Sequence, residues 1–162
     1  MDTKQIMPGT RSYSIERVTP ELFKEHSGQF LYMIQEYFKS GSERNGDPIS
    51  MFNEAREKLA EDERFFMLAP VQNGIPVGML MADTVRDAAR ITVGYIHQAI
   101  KPQVKNMIIS DTLSSFEEWA RSKNCRVQIF YTNRTPGAHK MMTARGWEYE
   151  LSIYKKELNH GK

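Results

Sequence analysis

The stretch Ile91–Trp119, ITVGYIHQAIKPQVKNMIISDTLSSFEEW, constrains this chain more than any other. Ile91 to Ile100 reads as a buried strand, and Ser110 to Ser122 carries Leu113, Phe116, Trp119 and Ala120 at helical spacing. Between them lies a basic turn containing Pro102. A helix start gathers unpaired backbone N–H groups and the positive end of the helix dipole, so such a turn is a natural anion site. Turns that hold phosphates usually carry glycines, because a missing side chain lets the backbone approach the ligand. Here no glycine occurs between Gly94 and Gly137.

The frame around that stretch is ordinary. A chain of 162 residues with 40% apolar and 26% charged residues fits one soluble domain with a proper core. A net charge of +2 gives no argument for nucleic acid or a membrane surface. The single cysteine, Cys125, excludes an internal disulfide and suits a reducing compartment; it reads as a strand residue rather than a nucleophile. No segment approaches the length of a membrane span, and MDTKQIMPGTR lacks the apolar core of a secretory signal. The expectation is a cytoplasmic protein.

Taken in order, residues 1–11 form a flexible polar arm, 12–158 a single domain and 159–162 a tail. Ser12 to Val18 alternates as a first strand. Thr19-Pro20-Glu21 starts a helix on which Leu22, Phe23, Phe30, Ile34, Tyr37 and Phe38 recur, with Gly28 as a place for a break. Residues 40–48 are a loop, and Ile49 to Asp62 a second helix. Arg64–Gln72 and Ile75–Thr84 flank Asn73-Gly74, the strongest hairpin signal present. The turn VRDAAR leads into the strand Ile91–Ile100. After the helix at Ser110–Ser122, Arg126–Thr132 reads as a strand parallel to a neighbour. A helix from Thr135-Pro136 to Gly146 and a strand over Trp147–Leu158 complete the order β-α-α-β-β-β-α-β-α-β. The fold class is α/β (α+β), a mixed, mostly antiparallel sheet with helices on both faces.

That order, with TLSSFEEWARSKNC and AHKMMTARGWEYE, resembles the GNAT acyltransferase family over roughly residues 12–158. Ala138, Gly146 and Trp147 match the family's Ala-x-x-x-Tyr-x-x-x-Gly-Phe segment, and Met142 stands where its tyrosine would be. The resemblance implies transfer of an acyl group, usually acetyl, from coenzyme A to an amine by direct attack. Acetyl-CoA would be the co-substrate, with no metal. The pantetheine arm would run along the backbone of Ala99 and Ile100 like an added strand, and the pyrophosphate would sit on Val104 to Ser110. The family's small residues in that turn fall on Asn106 and Ile108 in one register, or on Met107 and Ile109 in the other. Lys101 and Lys105 offer compensating charge. The family's asparagine after the crossover strand corresponds to Thr135, or to Asn133 with a gap.

A departing thiolate needs a proton and an attacking amine must lose one. Tyr131 and Tyr95 are the substitutes for the absent tyrosine, and His97 is the histidine placed to act as a base. Each also has a plainer role as a packed core residue. Glu43, Arg44 and Asp47 could shape an acceptor pocket, and Arg134, His139, Lys140 and Arg145 form a basic patch. No zinc spacing, Ser-His-Asp set, glycine-rich nucleotide fingerprint or EF-hand loop is present. Two functions follow: an acyl-CoA-dependent N-acyltransferase of an unknown small-molecule or protein amine, or a catalytically inactive GNAT-like fold serving as a binding or structural module. The strand Trp147–Leu158 offers an edge for a homodimer.

Overall fold

The computed structural model describes residues 12–39, 46–130, 140 and 142–148. They belong to two compact units, 1–131 and 132–162. The first unit runs β1 (Tyr13–Arg17), α1 (Pro20–Glu25), α2 (Ser27–Lys39), α3 (Pro48–Glu61), β2 (Phe65–Gln72), β3 (Ile75–Pro76), β4 (Gly78–Val85), β5 (Ala88–Ile96), α4 (Pro102–Ser122) and β6 (Val127–Phe130). The sheet order is β1-β2-β4-β5-β6, with β3 attached to β2. The β5–β6 pair is parallel and the other pairs are antiparallel, which is the mixed, mostly antiparallel sheet expected.

Local chemistry sets the boundaries. Thr19 Oγ1 accepts the Leu22 N–H at 3.1 Å and Pro20 opens α1. The break expected at Gly28 falls instead at His26; Gly28 is inside α2. Across the break, Phe23 and Phe30 stack with centroids 5.0 Å apart, so both helices feed one core. Asp47, considered above for an acceptor pocket, is the N-cap of α3 and accepts from the Ile49 and Ser50 N–H groups. Glu43 and Arg44 lie outside the described residues. Asn73 (φ 53°) and Gly74 (φ 75°) both take positive φ, as the tightest hairpin turn requires. The partner strand expected over Ile75–Thr84 is interrupted at Val77, whose N–H bonds the Pro70 carbonyl at 2.8 Å.

The sheet is covered on both faces. Met67, Ala69, Val71, Met79, Met81, Val93 and Tyr95 join Phe23, Phe30, Met33, Ile34, Tyr37 and Ala55 of α1–α3 in one buried cluster. On the opposite face α4 lays down Ile108, Thr112, Phe116, Trp119 and Ala120, all buried at helical spacing. Trp119 stacks on Phe66 of β2 at 4.4 Å and 6°. Tyr13 Oη donates to Asp111 Oδ2 at 2.5 Å, tying β1 to α4. Cys125 lies in the turn before β6 rather than in the strand, with its N–H on the Ala120 carbonyl. Burial, and then the charge of Asp87, push its thiol above the usual range, so it stays protonated and poorly nucleophilic.

In the second unit Met142–Ala144 are helical and Gly146 has φ 85°. The Gly146 N–H meets the Thr143 carbonyl at 3.1 Å and the Trp147 N–H the Met142 carbonyl at 3.1 Å. This is the helix stop expected of a glycine at the C′ position. The helix start at Thr135-Pro136 lies outside the described residues, as does the strand expected over Trp147–Leu158 apart from Trp147 and Glu148.

Candidate functional site

The candidate site is built around the end of β5. Ala82 pairs with Ile91 and Met81 pairs with Val93, so Thr92 is an extra residue bulged out of the β4–β5 ladder. The bulge resets the alternation. Ile91 shares the α4 face with its partner Ala82, whereas Val93 and Tyr95 join the cluster under α1–α3. On its other side β5 pairs with β6 only from Ala88 to Ile91. Among the described residues, Thr92 to Ile96 therefore have β4 on one edge and no strand on the other. Such an edge offers N–H and C=O groups to an extended amide chain.

Beyond Ile96 the chain turns tightly into α4. The His97 N–H bonds the Val77 carbonyl at 2.8 Å, extending the ladder by one rung. Ala99 N–H donates to His97 Nδ1 at 3.0 Å, and Ile100 N–H to the His97 carbonyl at 3.2 Å. Lys101 is the N-cap of α4, Pro102 follows it, and the Lys105 N–H bonds the Lys101 carbonyl at 2.8 Å. The N–H groups of Gln103 and Val104 precede that first intrahelical bond. A lysine side chain has donors only, so Lys101 caps neither of them, and the first turn of α4 has no acidic residue. The positive end of the dipole thus coincides with Lys101 and has Lys105 close by in sequence, a start that an anion would stabilise.

A polar cluster lies on the α2 side of the same strand end. Gln29, Tyr32 and Glu36 recur along one stripe of α2, and Gln29 Nε2 donates to the Pro76 carbonyl at 3.1 Å. The Tyr32 and His97 rings are 6.0 Å apart. Tyr95 is buried, and its phenol is pushed above its usual value by burial first, then by Tyr32 and Glu36. The bond from Ala99 occupies the Nδ1 lone pair, so neutral His97 carries its proton on Nε2 and presents a donor there. Among the described residues no group of three His, Cys, Asp or Glu side chains is placed to hold a metal ion, and no helix is long and apolar enough to cross a membrane.

No protein-family model matches the sequence, and no curated protein matches it significantly. Solved structures do. The aminoglycoside acetyltransferase AAC(6')-Iy, in complex with a bisubstrate analogue of coenzyme A and acetylneamine, has a TM-score of 0.67 at 13% identity, over 90% of this chain and 99% of that one. A predicted acetyltransferase from Clostridium acetobutylicum with acetyl-CoA has a TM-score of 0.69 at 13% identity, over 92% and 99%. The ribosomal-protein-alanine N-acetyltransferase from Brucella melitensis biovar Abortus 2308 has a TM-score of 0.66 at 13% identity, over 90% and 99%. The chain has a GNAT-like fold.

On this GNAT-like frame the expected site residues fall in three groups. His97 and Tyr95 come together on the α2 side of the strand end. Ala99 and Ile100 correct the expectation of a strand running to Ile100: β5 ends at Ile96, and both residues lie in the turn with their N–H groups bonded to His97. The helix expected from Ser110 begins at Pro102. Asn106, Met107, Ile108, Ile109 and Ser110 are therefore helical, and neither expected register of a phosphate turn exists. Ile108 is fully buried, so it serves the core and not a ligand. The N–H groups that precede the first intrahelical bond are those of Gln103 and Val104, with Lys101 and Lys105 beside them in the chain.

Tyr131, Asn133, Thr135, Arg134 and His139 lie outside the described residues. Met142, which the resemblance places at the family's tyrosine, is buried. Sequence reasoning missed Tyr32, Glu36 and Gln103. Tyr32 and Glu36 occupy a polar stripe at positions i and i+4 of an amphipathic helix, which looks like a solvated face until the strand end beneath it is known.

Proposed function

We propose that the chain is an acyl-CoA-dependent N-acyltransferase that moves an acetyl group from acetyl-CoA to an amine by direct attack in a ternary complex. The observation that carries this is the uncapped, cationic start of α4, delivered to the end of a strand whose outer edge is open among the described residues. Pyrophosphate oxygens would accept from the Gln103 and Val104 N–H groups, with Lys101 and Lys105 neutralising charge. The pantetheine amides would pair with the edge from Thr92 to Ile96. The amine lone pair then attacks the thioester carbonyl, the C–S bond breaks, the thiolate leaves with a proton, and the amine nitrogen loses one.

Tyr95 and Tyr131 are the candidates to protonate the thiolate. In this proposal His97 acts through its Nε2–H as a donor that orients the acetyl or acceptor group, because its Nδ1 lone pair is already engaged. The related structures include an enzyme named for an aminoglycoside and one named for a protein alanine, so they leave the acceptor open. The lone thiol of Cys125 is in keeping with a reducing compartment such as the cytoplasm.

The second reading, an inactive GNAT-like module, is favoured by the methionine at Met142. Thermal-shift titration with acetyl-CoA and with free coenzyme A separates the two. Saturable stabilisation of the wild-type chain, reduced in a Lys101→Ala/Lys105→Ala variant, is the expected result. Absence of any stabilisation at millimolar ligand would remove the enzyme from consideration.

A further inference from the structure

His97 ties together the turn between β5 and α4. Its N–H bonds the Val77 carbonyl at 2.8 Å, and the Val77 N–H bonds the Pro70 carbonyl at 2.8 Å, so the His97 backbone is fixed to the sheet. From that anchor it accepts two further N–H groups, that of Ala99 on Nδ1 at 3.0 Å and that of Ile100 on its carbonyl at 3.2 Å. A side chain at the first position of a turn that accepts from the N–H two residues on is the arrangement usually made by Asn or Asp. Here an imidazole makes it. The Tyr32 ring, 6.0 Å away and tilted by 31°, flanks that imidazole from α2. Lys101, the N-cap of α4, follows Ile100 directly, so this turn decides where the α4 start stands relative to the end of β5.

We infer that His97 is a positioning residue for coenzyme A: by accepting the Ala99 N–H on Nδ1, it locks the turn that carries the α4 start away from the end of β5. This rests on the acetyl-transfer proposal, and it gives Nδ1 a task separate from that of the Nε2–H. In that proposal one ligand spans two elements, its pantetheine on the β5 edge and its pyrophosphate on the Gln103 and Val104 N–H groups. Both ends fit at once only when the turn holds the two elements at a fixed spacing. A loose turn must be ordered by the ligand, and that ordering is subtracted from the affinity. Without Nδ1 the Ala99 N–H turns to water. The turn then keeps only the Ile100 bond to His97, which at 3.2 Å is at the long end of the usual range.

The two nitrogens can be separated by substitution. Asparagine places Oδ1 near the position of Nδ1 and accepts from the same N–H, whereas glutamine places its amide nearer to Nε2 and leaves the Ala99 N–H unmet. The test measures coenzyme A binding by calorimetry to the full wild-type chain and to His97→Asn, His97→Gln and His97→Ala. Hydrogen exchange of the Ala99 amide is read on the same chains, 15N-labelled and without ligand. The amide should be protected in the wild type and in His97→Asn, and exposed in the other two. His97→Asn should bind coenzyme A within about threefold of the wild type, and His97→Gln and His97→Ala about tenfold or more weaker. The spectra report that each variant is folded, and a residue that merely stabilised the domain would leave the affinity of folded chains unchanged. A His97→Ala chain that binds as the wild type does, or a His97→Asn chain that loses as much as His97→Ala, would overturn the inference. A wild-type chain that does not bind coenzyme A at all is a different result, which sinks the acetyl-transfer proposal and this inference with it.

Discussion

Thr92 Oγ1 donates to the Met81 carbonyl at 3.2 Å, across the point where the β4–β5 register shifts. The bond ties down a carbonyl next to the bulge while the extra residue re-aims the last part of β5. Replacing Thr92 with valine keeps the branched shape and removes only the hydroxyl. The expected loss is about 1 kcal/mol, the net worth of a typical protein hydrogen bond. Urea unfolding checks it: the midpoint should fall with an unchanged m-value, and an unchanged midpoint would mean the bond does not hold the bulge.

The same bulge shows why part of the site could not be read from the chain. Ile91, Val93 and Tyr95 alternate without interruption, and nothing such as a glycine marks the extra residue, yet Ile91 and Val93 end on opposite faces. The run of elements from β1 to β6, the Asn73-Gly74 turn and the parallel pairing of β6 were legible because they depend on local periodicity and turn chemistry. The true start of α4 was also written in the chain, as Ile108, Thr112, Phe116 and Ala120 at every fourth position behind Lys101-Pro102. The expectation of a glycine-lined phosphate turn obscured it. The pairing of Tyr32 with His97 depends on which strand end lies under α2, a tertiary fact with no local signal.

Gly78 pairs with Ile96 immediately before the His97 turn, and its bare backbone is needed there. A Cβ on it would lie 2.7 Å from the Tyr95 carbonyl and 2.9 Å from Pro70 Cγ. One neighbour is backbone and the other a ring, so neither yields easily. Gly78→Ala should destabilise the chain by about 1–3 kcal/mol, the usual cost of overpacking. It should also reduce stabilisation by acetyl-CoA, since the displaced carbonyl belongs to β5. Denaturation with and without acetyl-CoA measures both; a variant as stable as the wild type would show that β4 and β5 can separate freely there.

Asp47 links stability to acid. Its carboxyl is held below its ordinary value by the Ser50 hydroxyl and by the backbone N–H groups of Ile49 and Ser50. A depressed folded-state value means the contribution is fully present above the unfolded value, about 3.9, and is lost as the pH falls through the folded one. Asp47→Ala should therefore melt lower than the wild type at neutral pH, and the gap should close as the pH is taken down past that window. A gap that stays constant to low pH would show that the carboxylate charge has no part in capping α3.

Tyr95 supplies the opposite linkage at high pH. Burial raises its phenol above the ordinary value, and Tyr32 and Glu36 push it the same way. Below about pH 10 both the folded and unfolded chains keep the proton, so the shift has no effect on stability. Between the ordinary and the raised values the unfolded chain ionises while the folded one does not, so stability falls as pH rises through that window. Of the seven tyrosines in the chain, Tyr95 should ionise late in an ultraviolet titration of the folded protein, and Tyr95→Phe should remove that late step. Glu36→Gln should move the step to lower pH, because it removes a negative charge that opposes ionisation. If the step stays where it is, the Glu36 carboxylate does not act on Tyr95.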